Sequence, residues 1–176
     1  MPTYISMLRG INVGGQKKIP MSELSKLYES LGFSHVKTYI QSGNVIFESP
    51  ITDTAQLAVD IQQAIKDSFN FDVPVFIRTI QEFDEVIQNN PFPDKDQTKL
   101  HVTFLSASPI VQPLLEIDAV KDELEEFLIH GHEIYLYCPN GYGQTKLTNN
   151  LFEKKLKVLA TTRNWNTVNT LLSMAK

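Results

Sequence analysis

Between Tyr4 and Arg78, short apolar runs alternate with helical periodicities in an order that leaves few sheets to choose from. Tyr4 to Leu8 reads as a strand. Met21, Leu24, Leu27, Tyr28 and Leu31 recur at three- and four-residue spacing and mark a helix, closed by Gly32. Val36 to Gln41 is a β-branched and aromatic strand, Ser42-Gly43-Asn44 is a tight-turn signal, and Val45 to Glu48 returns as its hairpin partner. Asp53 and Thr54 cap a long helix carrying Leu57, Ile61, Ile65 and Phe69. Val73 to Arg78, with Pro74 near its start, reads as an edge strand. The order is β-α-β-β-α-β, the ferredoxin-like arrangement.

The pattern then restarts. Thr79 and Glu82 form a capping box for a short helix, and residues 89–97, with Pro91 and Pro93 among Asn and Asp, read as a linker. Leu100 to Leu105 is a strand, and Ser108-Pro109 signals a helix start. Phe127 to Ile129 and Glu133 to Cys138 are two strands joined through His130-Gly131-His132. A helix is expected from about Thr145 to Leu156, and a last one holds Trp165, Val168, Leu171 and Leu172. The expectation is an α+β protein of two ferredoxin-like halves packed together, residues 1–90 and 91–176. The second half would carry a C-terminal helix in place of its last strand. The duplication rests on element order, since no residue-level repeat is visible.

Composition excludes several classes. Hydrophobic residues make up 42% and charged residues 20%, as in ordinary globular proteins. A single cysteine, Cys138, rules out an intrachain disulfide, and no secretory leader or run of 18 apolar residues is present. These features point to a cytoplasmic protein with no membrane contact. The net charge of −4 is unevenly spread: residues 50–140 hold 5 basic and 16 acidic groups, whereas residues 141–176 hold 6 basic groups and only Glu153. Beyond roughly 8 Å exposed charges are screened, so a site built from the chain ends would feel its local, basic sign.

The stretch Arg9-Gly10-Ile11-Asn12-Val13-Gly14-Gly15-Gln16-Lys17-Lys18 follows the first strand. In the ferredoxin-like order, strands 1 and 2 point the same way. This loop therefore emerges beside Gln41-Ser42-Gly43-Asn44, and both segments are free of carboxylates. Residues 9–20 exceed an ordinary βα connection, and long ordered loops tend to carry function. Several N–H groups, cations and a nearby helix N-terminus could together hold an anion. The same glycines would also be needed wherever the chain takes φ > 0, and neither the dinucleotide fingerprint nor the Walker spacing is matched. A second basic, glycine-containing stretch is Gly141-Tyr142-Gly143-Gln144-Thr145-Lys146. A third group is Thr161-Thr162-Arg163-Asn164-Trp165-Asn166-Thr167, in which Thr161 or Thr162 can cap the last helix and Trp165 is expected in the core or between the halves.

No catalytic or metal constellation is legible. His130 and His132 flank a turn without a third ligand, His35 lies at the wrong end of its sheet, and His101 sits inside a strand. Cys138 reads as a small buried residue, and Asp122, Glu123, Glu125 and Glu126 read as a solvated acidic segment. A ferredoxin-like sheet can also serve RNA, but only Tyr4 and Phe47 are aromatic on its central strands, and overall acidity works against generic nucleic-acid affinity.

Four phrases carry a family resemblance: Leu8-Arg9-Gly10-Ile11-Asn12-Val13-Gly14-Gly15, Tyr39-Ile40-Gln41-Ser42-Gly43-Asn44-Val45, Lys146-Leu147-Thr148-Asn149, and Thr162-Arg163-Asn164-Trp165-Asn166-Thr167-Val168. Together they resemble a bacterial family described only as a domain of unknown function, serial 1697. The resemblance spans essentially the whole chain. It implies two ferredoxin-like halves and brings no activity, substrate or catalytic residue.

The leading expectation is therefore a binding protein for a phosphorylated or otherwise polar small ligand, with no cofactor. Arg9, Lys17, Lys146 and Arg163 would supply charge. Asn12, Gln41, Ser42, Asn44, Asn164 and Asn166 would supply hydrogen bonds, and Gly14 and Gly15 backbone access. Its alternatives are a nucleic-acid or protein interaction module without a small ligand, and an enzyme acting on a phosphorylated substrate.

Overall fold

The computed structural model describes residues 1–176. Its first seven elements are β1 (Thr3–Leu8), α1 (Met21–Ser30), β2 (Ser34–Tyr39), β3 (Asn44–Glu48), α2 (Thr54–Phe69), β4 (Val75–Thr79) and α3 (Ile80–Gln88). The strands form one antiparallel sheet in the order β2-β3-β1-β4, as the element order predicts. Asp53 Oδ1 accepts from the amides of Ala55 and Gln56 and so starts α2. Leu57, Ile61 and Ile65 are buried on that helix, together with Leu24, Leu27 and Tyr28 of α1. Each such side chain contributes roughly 1.5–3 kcal/mol of burial.

The second series is β5 (Leu100–Leu105), α4 (Leu114–Val120), β6 (Glu126–His130), β7 (Glu133–Tyr137), α5 (Asn149–Leu156), β8 (Ala160–Asn164) and α6 (Trp165–Ala175). Its sheet order is β6-β7-β5-β8, the same topology. This corrects one expectation: a helix does not replace the last strand. β8 is that strand, and the helix follows it. Ala160-Thr161-Thr162-Arg163-Asn164 hides its strand character because it is polar. Its polar groups find partners: Thr162 Oγ1 lies 2.7 Å from both Thr103 Oγ1 and Asn149 Oδ1. Each half is therefore β-α-β-β-α-β-α.

The repeat extends to register. Arg78 on β4 lies opposite Ile5, and Arg163 on β8 lies opposite Val102. Both arginines are buried, and each donates Nη1 at 3.0 Å to the carbonyl of the residue before it. A capping residue comes next in both halves. Thr79 and Glu82 cap each other at the start of α3, while Asn164 Oδ1, not Thr161 or Thr162, accepts from Thr167 N at 2.8 Å at the start of α6.

Contacts divide the chain into Met1–Asp84 with Thr170–Lys176, and Glu85–Asn169. The first unit's helices pack their apolar faces on β1, β3 and β4. In the second, Ile117 of α4 and Phe152 and Leu156 of α5 pack with Leu105, Ile134 and Leu136. No helix is long and apolar enough to cross a membrane.

Candidate functional site

The glycine-rich loop is a miniature hairpin. Asn12 N donates to Lys17 O at 3.2 Å and Gln16 N to Val13 O at 2.9 Å. Gly14 and Gly15 form its tip at φ +57 and +75, the sign a primed turn requires at both central positions. Asn12, at φ +55, ties the loop down: its Nδ2 donates to Ile19 O at 2.9 Å and Gln41 O at 2.8 Å, and its Oδ1 accepts from Ile19 N at 2.9 Å. Leu8 N donates to Gly43 O at 2.9 Å. A Cβ on Gly43 would stand 2.8 Å from Leu8 Cβ and from Ile11 Cδ1, so only glycine lets the β2–β3 turn approach this closely. The loop and the turn thus meet as strand order predicts.

Much of this end serves the fold. Both amide hydrogens and the oxygen of Asn12 are engaged internally. Asn44 is fully buried, donating to Tyr39 O at 3.1 Å and Ser42 Oγ at 3.0 Å. Lys17 Nζ donates to Asp72 O at 2.6 Å, while Arg9 and Ser42 are half-buried and Gln41 is exposed. Two of the loop's amide N–H groups close its own hairpin and so do not line up around an anion.

The remaining predicted residues lie in the second unit. Gly141 opens a single 3-10 turn, Tyr142–Gln144, and the following helix begins only at Asn149 with Thr148 as its cap. Exposed Lys146 therefore precedes the helix rather than opening it. Arg163 Nη1 donates to Thr161 Oγ1 at 2.8 Å as well as to Thr162 O, and burial pulls its pKa down to about 10. Strand alternation puts Arg163 and Asn164 on opposite faces of the sheet, so only Asn164 and Asn166 share a site.

That site is a cleft of about 510 Å³ lined by Gln97, Thr98, His101, Asn164, Trp165, Asn166 and Asn169, with no charged side chain in the lining. His101 on β5 lies opposite Asn164 on β8, and its ring stacks on Tyr142 with centroids 4.8 Å apart. His101 Nδ1 is buried without a hydrogen-bond partner, and burial holds the ring's pKa below the usual 6.5. Gln97 is engaged by Asn90, Phe92 and Lys95. Asn164 Oδ1 caps α6, and Asn169 Nδ2 donates to Trp165 O at 2.8 Å. These two bonds use the oxygen of Asn164 and the amide nitrogen of Asn169.

Trp165 is half-buried on the cleft wall and not part of the core. His101 is the residue that sequence reasoning passed over. Its signal is faint but present: in Leu100-His101-Val102-Thr103-Phe104, polar residues alternate with buried apolar ones, which turns a histidine to the face packed by α5.

The other chemistry candidates form no centre. No three His, Cys, Asp or Glu gather to hold a metal ion. Cys138 is buried, and burial, reinforced by the charge of Glu125, pushes its thiol up to about 12, far from a thiolate. Glu125 corrects the reading of a solvated acidic segment: it is buried, and its carboxylate accepts from Asp122 N at 2.9 Å. His35 pairs with Glu48 across β2 and β3.

Residues 1–135 match the family model described as Protein of unknown function (DUF1697). The chain belongs to this family. Among solved structures, the DUF1697 chain is similar to the conserved bacterial protein SP0830 from Streptococcus pneumoniae. The two share 24% identity with a TM-score of 0.72, covering 99% of each chain. That likeness carries the fold over the full length, including the part beyond the family match. No curated protein matches the sequence.

Proposed function

We propose that this DUF1697 protein binds a small, polar, uncharged planar molecule, with the Trp165–His101 cleft as its site. The observation that carries this reading is the lining itself. One indole, one imidazole and several side-chain amides surround a volume suited to a small ligand, and no carboxylate or ammonium group is among them. Trp165 offers a stacking face. Asn164 offers donors, Asn169 an acceptor, and Asn166 both, which together suit the hydrogen-bonding edge of a heterocyclic base or similar amide. A single buried thiol fits a reducing, cytosolic setting. Thermal shift against a panel of nucleobases, nucleosides and their phosphates tests the reading. Stabilisation by uncharged members, lost in His101→Ala and in Asn164→Ala, supports it; no shift from any member sinks it.

A second reading places a phosphorylated ligand at the glycine-rich loop, where Arg9, Lys17 and Lys18 lie together in sequence. What favours it is that α1 starts at Met21 with Pro20 before it and no side-chain cap; Glu23 N donates to Pro20 O, which leaves the amides of Met21 and Ser22 for an anion. In the same panel this reading expects shifts only from the phosphates, abolished by Arg9→Ala and untouched by His101→Ala.

A further inference from the structure

Edge strands expose unpaired main-chain groups, and proteins usually blunt them with bulges, lysines or strain. The first sheet does so at β2: its register with β3 shifts between Ser34 and Lys37, His35 sits at φ +52, and Lys37 is exposed. The corresponding edge of the second sheet, β6, carries none of these devices. Glu126-Phe127-Leu128-Ile129-His130 pairs with β7 in unbroken register and holds neither proline nor lysine.

The hairpin decides which groups of β6 face outward. β6 and β7 join through the two-residue loop Gly131-His132, so His130 and Glu133 form the closing hydrogen-bonded pair. Antiparallel alternation then assigns Leu128 and Glu126 to the bonds with β7. Phe127 and Ile129 are left with N–H and C=O pointing away from the sheet. Beside this edge, a groove of about 480 Å³ runs between β6 and α4, with Leu114 and Leu115 in its wall. Leu115 is 87% exposed and Leu128 44%, an apolar border of the kind that marks an interaction surface.

We propose that β6 is the two-fold interface of a homodimer, pairing antiparallel with β6 of a second copy about Leu128. The occupant follows from the self-complementarity of the strand. Centred on Leu128, the pairing sets Phe127 opposite Ile129 of the other copy, so the outward main-chain groups meet each other and form four hydrogen bonds. It also sets Glu126 opposite His130 of the other copy at both ends, a carboxylate facing an imidazole. Glu126 also holds Lys95 at 3.1 Å. No other two-fold centre on this strand matches all five residues. The two sheets become one eight-stranded sheet, and each Leu115 comes to lie along the new seam.

Sedimentation equilibrium on the full chain, with cysteine variants to read the register, tests this. The wild type shows a monomer–dimer equilibrium, and Leu128→Lys, which sets two ammonium groups together on the two-fold, weakens it about tenfold or more while the chain stays folded by circular dichroism. Under mild oxidation Leu128→Cys cross-links to itself, because opposite Cα atoms of such a non-hydrogen-bonded pair lie about 4.5 Å apart, within disulfide reach. Glu126→Cys and His130→Cys cross-link to each other when mixed and not to themselves. A wild type that stays monomeric at every soluble concentration overturns the proposal, as does a dimer whose cysteine variants cross-link without regard to this register.

Discussion

The two halves share topology, sheet order and register, yet they treat one equivalent position in opposite ways. Tyr4 on β1 lies opposite Thr79 on β4, and His101 on β5 lies opposite Asn164 on β8. In the first half Tyr4 is buried and its hydroxyl donates to Ile51 O at 2.8 Å. In the second half the same place holds a smaller ring with one nitrogen unpartnered, and a cleft opens beside it. The first half instead carries its polar decoration at the other end of the sheet, in the glycine-rich loop and its neighbouring turn, where Asn12, Lys17 and Asn44 are engaged internally. Sequence prominence and an open site therefore separate: the glycine-rich phrase holds the fold, while the less conspicuous half carries the cleft.

The comparison breaks most visibly at Gly43. Gly43→Ala combines a left-handed backbone, at φ +85, with contacts of 2.8 Å to Leu8 and Ile11. Denaturant unfolding is expected to show a loss of about 2–6 kcal/mol, from strain and overpacking together. Asn12→Ala removes three internal hydrogen bonds and should cost about 2–4 kcal/mol while leaving ligand affinity at the cleft unchanged. If it instead left stability intact and abolished binding, the loop would be the site and the comparison would reverse. Gly14→Ala meets no neighbour within 4 Å, so only its φ of +57 opposes it, at about 1–2 kcal/mol.

Much of this was legible from the chain. The strand–helix order of residues 4–78, the Ser42-Gly43-Asn44 turn and its adjacency to the loop all follow from periodicity and turn chemistry. β8 was not, because Thr161, Thr162 and Arg163 are polar, and the partners of Thr162, Thr103 and Asn149, come from elsewhere in the chain. The roles of Asn12 and Asn44 were hidden similarly: an amide that clasps a backbone reads like one that awaits a ligand. His101 looked inert inside a strand because its surroundings, Tyr142 and Trp165, are set by β7–α5 and β8–α6 connections that spacing does not reveal.

A smaller effect sharpens the contrast at the equivalent position. Burial lowers the folded-state pKa of His101 below 6.5, so its contribution to stability is fully present above that pH. It is lost as pH falls, because the unfolded chain then takes up a proton that the folded one resists. His101→Tyr, which gives the second half the residue of the first, should flatten that part of the stability–pH curve between pH 7 and 5 and close the cleft. An unchanged slope would mean that His101 titrates as freely as an exposed histidine.

The central claim can be read optically, since Trp165 is the only tryptophan in the chain. Titrating nucleobases and nucleosides while following its fluorescence should give a saturable change that is absent in His101→Tyr and Asn164→Ala and retained in Arg9→Ala. A ligand that stabilises the protein while leaving Trp165 emission unmoved, or whose signal vanishes with Arg9→Ala alone, would contradict the account.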